Sequence, residues 1–145
     1  MQLIVKHFRD LTANELYEIY KLRAAGFVVE QNCAYQDIDE SDKHAYHVFF
    51  QEDGKLQAYL RVVEPGFCHE EALIGRVIAV KRRCGIGSRL LSEGIRVAEE
   101  KFGAEVIRIA AQTYAVPFYE QAGFKTASEE FLEDGIPHVQ MLRHK

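Results

Sequence analysis

Apolar and polar positions along this chain change period several times, and each change marks an element. The opening run LIVKHF (3 to 8) is short, apolar and β-branched, which predicts a strand. In TANELYEIYKLRAAGF the residues Leu16, Ile19, Tyr20 and Phe27 recur at helical spacing, so a helix follows. Thr12 with Glu15 three residues on has the form of a capping box that starts it. EQNCAYQDIDESDKH (30 to 44) is polar, acidic and irregular, and reads as a loop. AYHVFF and LQAYLRVVE then flank QEDGK, whose Asp53-Gly54 pair predicts the turn of a β-hairpin. ALIGRVIAV (72 to 80) supplies another strand.

Beyond it, Leu91, Ile95, Ala98 and Phe102 fall on one helical face, and Gly103 is placed to cap that helix. EVIRIAA (105 to 111) has the continuous apolar character of a buried strand. AVPFYEQAGF predicts a short helix begun near Pro117 and stopped by Gly123. Two more strands are expected at about 124 to 131 and 138 to 143, around the EDGIP turn. The order β-α-ββ-β-α-β-α-ββ predicts one mixed α/β sheet with helices on both faces. Its parallel unit would be residues 72 to 111, closed by a right-handed crossover.

Composition narrows the function classes. The 145 residues fit one domain, 1–145, with 48% hydrophobic and 28% charged residues. A net charge of −4 argues against a nucleic-acid partner, whose affinity comes largely from phosphate neutralisation. No apolar run approaches the roughly 20 residues of a membrane span, and MQLIVKHFRD does not read as a signal peptide. Cys33, Cys68 and Cys84 are odd in number and widely spaced, as expected of reduced thiols in a cytoplasmic protein. They do not pair at zinc spacing, so no metal is expected.

The chemistry concentrates at KRRCGIGSRLL (81 to 91), a strand-to-helix junction. A dinucleotide fingerprint fails here because the sixth position from Gly85 is Leu90, and no Walker A string exists. What remains is Arg82, Gly85 and Gly87 ahead of a helix whose first amides point outward, with the helix dipole adding partial positive charge. Gly at 85 and 87 leaves room for a pyrophosphate, and Arg82 and Arg83 offer charge-assisted contacts. On the loop alone, a tight turn with solvated arginines explains the same residues.

VIAVKRRCGIGSRLL followed by AVPFYEQAGF resembles the paired motifs of the GNAT superfamily of acyl-CoA N-acyltransferases. The first match is Arg82, Gly85 and Gly87; the second is Ala115, Tyr119, Gly123 and Phe124. FVVEQNCAYQDID and EDGIPHVQM are similar to the bacterial ElaA-like branch, so the resemblance covers nearly the whole chain. It implies a mostly antiparallel GNAT sheet, acetyl-CoA as cosubstrate, and often a homodimer. It also implies that Arg83, Ile86 and Ser88 join the phosphate cradle, and that the strand edge at Ile78 and Val80 holds the pantetheine arm. A backbone N–H of Ile78 or Val80 would meet the oxyanion. Gln112 stands where many members carry Asn, as a ligand contact of longer reach.

Tyr119 matches the family's acid, which protonates the departing thiolate. The strand before the loop carries no carboxylate from Leu73 to Val77, so the general base is open. Glu30, Asp37, Asp39 and His138 are the candidates for acceptor binding or proton relay, each weighed against a solvated-loop role. Glu30, Asp37, Asp39, Glu40 and Asp42 make the expected acceptor mouth acidic. The expected reaction is transfer of an acetyl group to a primary amine, on a small molecule or a peptide, by direct attack through a tetrahedral intermediate. The rival is a non-catalytic acyl-CoA sensor of the same fold.

Overall fold

The computed structural model, which describes residues 1–32, 35–81 and 85–145, runs the chain through eight strands and three α-helices. In chain order these are β1 (Gln2–His7), α1 (Ala13–Arg23), β2 (Ala45–Glu52), β3 (Lys55–Val63), β4 (Ala72–Ala79) and α2 (Ile86–Phe102). Then follow β5 (Val106–Gln112), α3 (Val116–Gln121), β6 (Lys125–Thr126), β7 (Phe131–Glu133) and β8 (Ile136–His144). The sheet order is β1-β2-β3-β4-β5-β8-β6, with β7 also paired to β8. Every pairing is antiparallel except β4 with β5. The mixed sheet is the one expected from the order of periods, and its mostly antiparallel pairing is what the resemblance implied.

Local chemistry accounts for the boundaries. Thr12 and Glu15 form the reciprocal capping box: the Glu15 N–H donates to Thr12 Oγ1 at 3.1 Å and the Thr12 N–H to Glu15 Oε1 at 2.9 Å. Asp53 (φ 51) and Gly54 (φ 75) are both left-handed, the conformation that joins β2 and β3 without splaying them. Gly103, at φ 61, ends α2 as predicted. Two expectations need correction. The first helix does not stay α-helical through Phe27, because Ala24–Glu30 continues it as a π-helix. The penultimate strand breaks into the two-residue β6 and three-residue β7, since Ser128, Glu129 and Glu130 bring no apolar alternation.

The sheet separates two cores. Ile86, Leu90, Leu91, Ile95 and Ala98 of α2 pack on Val48, Leu60, Val62 and Ile74, and Tyr119 of α3 joins the same face. Gly94 lets α2 sit close, since a Cβ there would lie 2.9 Å from Leu60. On the other face Ile19 of α1 meets Phe49 and Tyr59, with Ile78 packed alongside.

Candidate active site

β4 changes phase partway along its length. Arg76 sits at φ 54, and the register with β3 shifts between Tyr59 and Arg61, leaving two residues of β4 opposite Leu60. Ala72 and Ile74 therefore face α2 before the bulge, and Val77 and Ala79 do so after it, while Ile78 turns to the α1 side. The bulge also ends contact with the next strand. β4 and β5 pair only at Ala72↔Ile107 and Leu73↔Arg108, and beyond them the two strands are not paired. A parallel pair that opens at its C-terminal ends is the place where α/β sheets bind ligands.

The open edge carries backbone donors and acceptors, though not those expected. The Val80 N–H donates to the Gln57 carbonyl of the β3 side at 2.9 Å. Residues two apart on an antiparallel strand point the same way, so Ile78 also faces β3 and Ala79 presents its N–H and carbonyl to the cleft. The expectation that the Ile78 and Val80 amides face the opening is therefore corrected: they face β3, and the backbone groups of Ala79 face the opening. The side chains of Ile78 and Val80 instead line a hollow on the α1 side.

The glycine loop delivers α2 to the same end of the sheet. Gly85 is its N-cap at φ 81, a left-handed position that glycine adopts without strain, and it offers no side-chain acceptor to the first turn. The N–H groups of Ile86, Gly87 and Ser88 are then the donors left at the helix start. Among the described residues, a Cβ on Gly87 would meet the ring of Phe118, 3.5 Å away, so α3 flanks the start of α2. Arg82, Arg83 and Cys84 lie outside the described residues.

Tyr119 follows Phe118 on α3. Its ring stands edge-on to Phe118 (5.0 Å) and Phe124 (6.0 Å), and it is buried. That burial, with Tyr114 adding to it, pushes the hydroxyl pKa up, so the group is held protonated, as a proton donor must be. Gln112 ends β5, five residues beyond the paired Ile107. Its neighbour across the ladder to β8 is His138. The His138 Nδ1 lies 2.6 Å from the Ile136 carbonyl, which fixes the proton there and leaves the lone pair on Nε2, 3.6 Å from Glu133 Oε2.

On the α1 side a hollow of about 400 Å³ adjoins the end of β4. Leu22, Ala25, Gly26, Ile78, Ala79 and Val80 make its apolar walls and Glu30 supplies its charge. Gly26 presses so close to Ile78 that a Cβ would lie 2.0 Å from Ile78 Cδ1. A comparable hollow at Glu105, Val106, His144 and Lys145 lies at the opposite end of β5, away from the cleft.

The acidic segment is not an open charged mouth. Asp37 and Asp42 are buried, and Arg23, Arg61 and Arg76 pair with them and with Asp39. Arg23 Nη1 reaches Asp42 Oδ1 at 2.7 Å, and Arg61 Nη1 reaches the same oxygen at 2.9 Å. His47 Nε2–H donates to the Asp42 carbonyl (2.9 Å), and its Nδ1 accepts from the Tyr59 hydroxyl (2.7 Å). Burial pulls the His47 pKa down to about 4, which keeps the ring neutral. Burial alone would raise the Asp42 carboxyl, but hydrogen bonds and charge from Arg23 and Arg61 hold it below its ordinary value. Among the described residues Asp42 Oδ2, Arg61 Nε and Arg76 Nε make no hydrogen bond, the last being an ion-pair contact 2.8 Å from Asp37 Oδ1. Among the described residues no cluster of three or more His, Cys, Asp or Glu is placed to hold a metal ion.

A family profile, the acetyltransferase (GNAT) domain, matches residues 10–144. The chain belongs to the GNAT acetyltransferases. A UPF0039 protein of Schizosaccharomyces pombe is 38% identical over 97% of this chain and 95% of its own length. Protein ElaA of Escherichia coli is 36% identical over 94% and 92%. Among solved structures, an acyl-CoA N-acyltransferase from Pseudomonas aeruginosa superposes with a TM-score of 0.93 at 36% identity, covering 99% of both chains. The structure of Escherichia coli ElaA gives 0.92 at 33% identity, again over 99% of each. As a GNAT protein this chain has general acyl-CoA-dependent acyltransferase activity.

Within this GNAT site, sequence reading missed the arginine partners of the acidic segment. The signal was there: Arg23 follows Ile19 by four residues on the buried face of α1, and Arg61 and Arg76 interrupt otherwise apolar strands. A charge at an apolar position of a periodic element asks for a buried counter-charge.

Proposed function

We propose that this protein transfers an acetyl group from acetyl-CoA to a primary amine, and that it belongs with the ElaA-like GNAT proteins. The observation that carries this is the meeting, at one end of the sheet, of an unpaired β4 edge, a glycine-started α2 and the buried Tyr119. The amide groups of Ile86, Gly87 and Ser88 take the pyrophosphate, and the Ala79 edge takes the pantetheine amides. Gln112, across the opening, adds a side-chain amide to the arm.

The amine enters over the α1 face, its apolar body in the hollow and its nitrogen drawn toward Glu30. An alkylammonium with a pKa near ~10.4 is rarely neutral at pH 7, so it must shed a proton before attack. His138 is the base in this reading, because its Nδ1 is engaged by the Ile136 carbonyl and its Nε2 is the ring nitrogen left to take the proton. The amine nitrogen adds to the thioester carbonyl, and the Ala79 N–H meets the oxygen that becomes negative. Collapse breaks the C–S bond, Tyr119 gives its proton to the thiolate, the nitrogen releases its second proton to solvent, and the neutral amide leaves. The proton taken up by His138 returns to solvent, and Tyr119 is reprotonated from it.

The test pairs calorimetry with a CoA-release assay. Acetyl-CoA binding together with CoA release on adding hexylamine, phenethylamine, spermidine or Nα-acetyllysine supports transfer. Tight binding with no release across such a panel leaves the sensor function instead.

A further inference from the structure

Asp37 is where three parts of the acceptor side meet. Arg23, at the last turn of α1, donates through Nε to Asp37 Oδ2 (2.9 Å) and through Nη2 to the Asp37 carbonyl (2.7 Å). Arg76, at the bulge of β4, places Nε 2.8 Å from Asp37 Oδ1 and donates Nη2 to the same carbonyl at 3.2 Å. The Tyr35 hydroxyl donates to Asp37 Oδ1 at 2.6 Å, and the Arg76 guanidinium lies over the Tyr35 ring, 5.6 Å from its centre. One carboxylate and its own backbone carbonyl thus tie α1 to β4.

Two consequences follow from that geometry. Both carboxylate oxygens already accept, so Asp37 does not serve as the base that lifts a proton from the amine. And the two guanidinium groups it joins come from the elements that set the distance between acceptor and thioester. Arg23 is followed at once by the π-helix of Ala24–Glu30, which makes one wall of the hollow. A π-helical turn inside a helix marks functional sites more often than α-helix does. Arg76 occupies the left-handed residue that turns Ile78 and Ala79 to their faces. A side chain other than glycine is disfavoured there, and its contacts with Asp37 and Asp39 hold it.

We propose that Asp37 is a positioning residue that locks the π-helical wall of the acceptor hollow to the bulge of the cofactor strand. The proposal rests on the transferase reading above. Three arginines and three aspartates balance in this cluster, so removing the Asp37 charge leaves the buried Arg23 and the half-buried Arg76 without the carboxylate that joins them, with one positive charge in excess. Asp37→Asn keeps the size and the carbonyl and removes the charge. Arg76→Lys keeps the charge and removes the two-pronged geometry.

The test uses the full chain with these two substitutions and three measurements. By mass spectrometry, amide exchange in segments 24–30 and 72–80 rises together, by about tenfold in each variant, as local opening becomes easier. Calorimetry gives an acetyl-CoA Kd raised by only about two- to fivefold, because the phosphate donors of α2 are unchanged while the Ala79 edge that takes the pantetheine loosens. With whichever panel amine wild type uses best, kcat falls by about tenfold or more, since small misplacement of reactants is costly. Faster exchange confined to 35–44 overturns the proposal, and so does unchanged kcat beside loosened walls. Should Asp37→Asn fail to fold, Arg76→Lys carries the same test. If wild type releases no CoA with any amine, the transferase reading falls, and the paired exchange of 24–30 and 72–80 alone decides the locking.

Discussion

Tyr119 and Gly87 are the residues at which the proposed reaction can be dissected most cleanly. Tyr119→Phe keeps the ring in its contacts with Phe118 and Phe124 and removes one hydroxyl. If that hydroxyl protonates the thiolate, kcat falls by about 10²-fold or more while the KM for acetyl-CoA moves little. Near-wild-type turnover, with folding confirmed by circular dichroism, makes it a packing residue. Gly87→Glu puts a carboxylate beside the first amides of α2, where a pyrophosphate belongs. Calorimetry should show acetyl-CoA binding abolished in a folded protein; unchanged affinity rules out the phosphate cradle. Both residues were legible in the sequence, because a glycine loop and an A-x-x-x-Y-x-x-x-G-F helix are short, local patterns. Asp37 was legible only as one acid in a polar loop. Its role depends on Arg23 and Arg76, 14 and 39 residues away, and nothing in local spacing announces such a pairing.

At the level of elements, helix and strand types followed from periodicity, and the exceptions have physical causes. Alternation along ALIGRVIAV gives no warning that Arg76 inserts a bulge, since the residues on either side are apolar in both phases. The assignment of Ile78 and Val80 to the open edge failed for that reason: facing depends on the register with β3. The π-helix at Ala24–Glu30 escaped likewise, because its apolar residues fit a helix of either kind. The α2–β3 contact is a sharper test of packing. Gly94 approaches Leu60 so closely that Gly94→Leu must push the helix off the sheet. Overpacking of this kind costs about 1–3 kcal/mol, and urea unfolding should show the lower midpoint with an unchanged slope. An unaltered midpoint means that Leu60 and its neighbours yield without loss.

For the molecule as a whole, the buried charge cluster makes stability depend on pH through His47. Its folded pKa is about 4 against an ordinary 6.5, so between those values the unfolded chain binds a proton that the folded one refuses. Stability from this source is complete above pH 6.5, declines as pH falls, and is gone below about 4. A shift of that size corresponds to about 3 kcal/mol. Asp42, held low, loses its contribution further down, as pH falls below its ordinary 3.8 toward its folded value. Urea unfolding of wild type and His47→Gln across pH 4 to 7 should show the slope shrink in the variant. Parallel slopes assign the acid sensitivity to other groups.

The two-pair junction between β4 and β5 means that the sheet is nearly two sheets. Residues up to Phe102 hold β1 to β4 with both long helices, and residues from Val106 hold the remaining strands with α3. Ligand donors at Ile86 to Ser88 belong to the first part and the Tyr119 hydroxyl to the second. Acetyl-CoA in the cleft would therefore act as a splint across a joint. Cutting the backbone at Gly103 or Ala104 should give two fragments that reassociate weakly alone and firmly with the cosubstrate present. Such a nicked enzyme would report cofactor occupancy directly, as the melting temperature of its own seam.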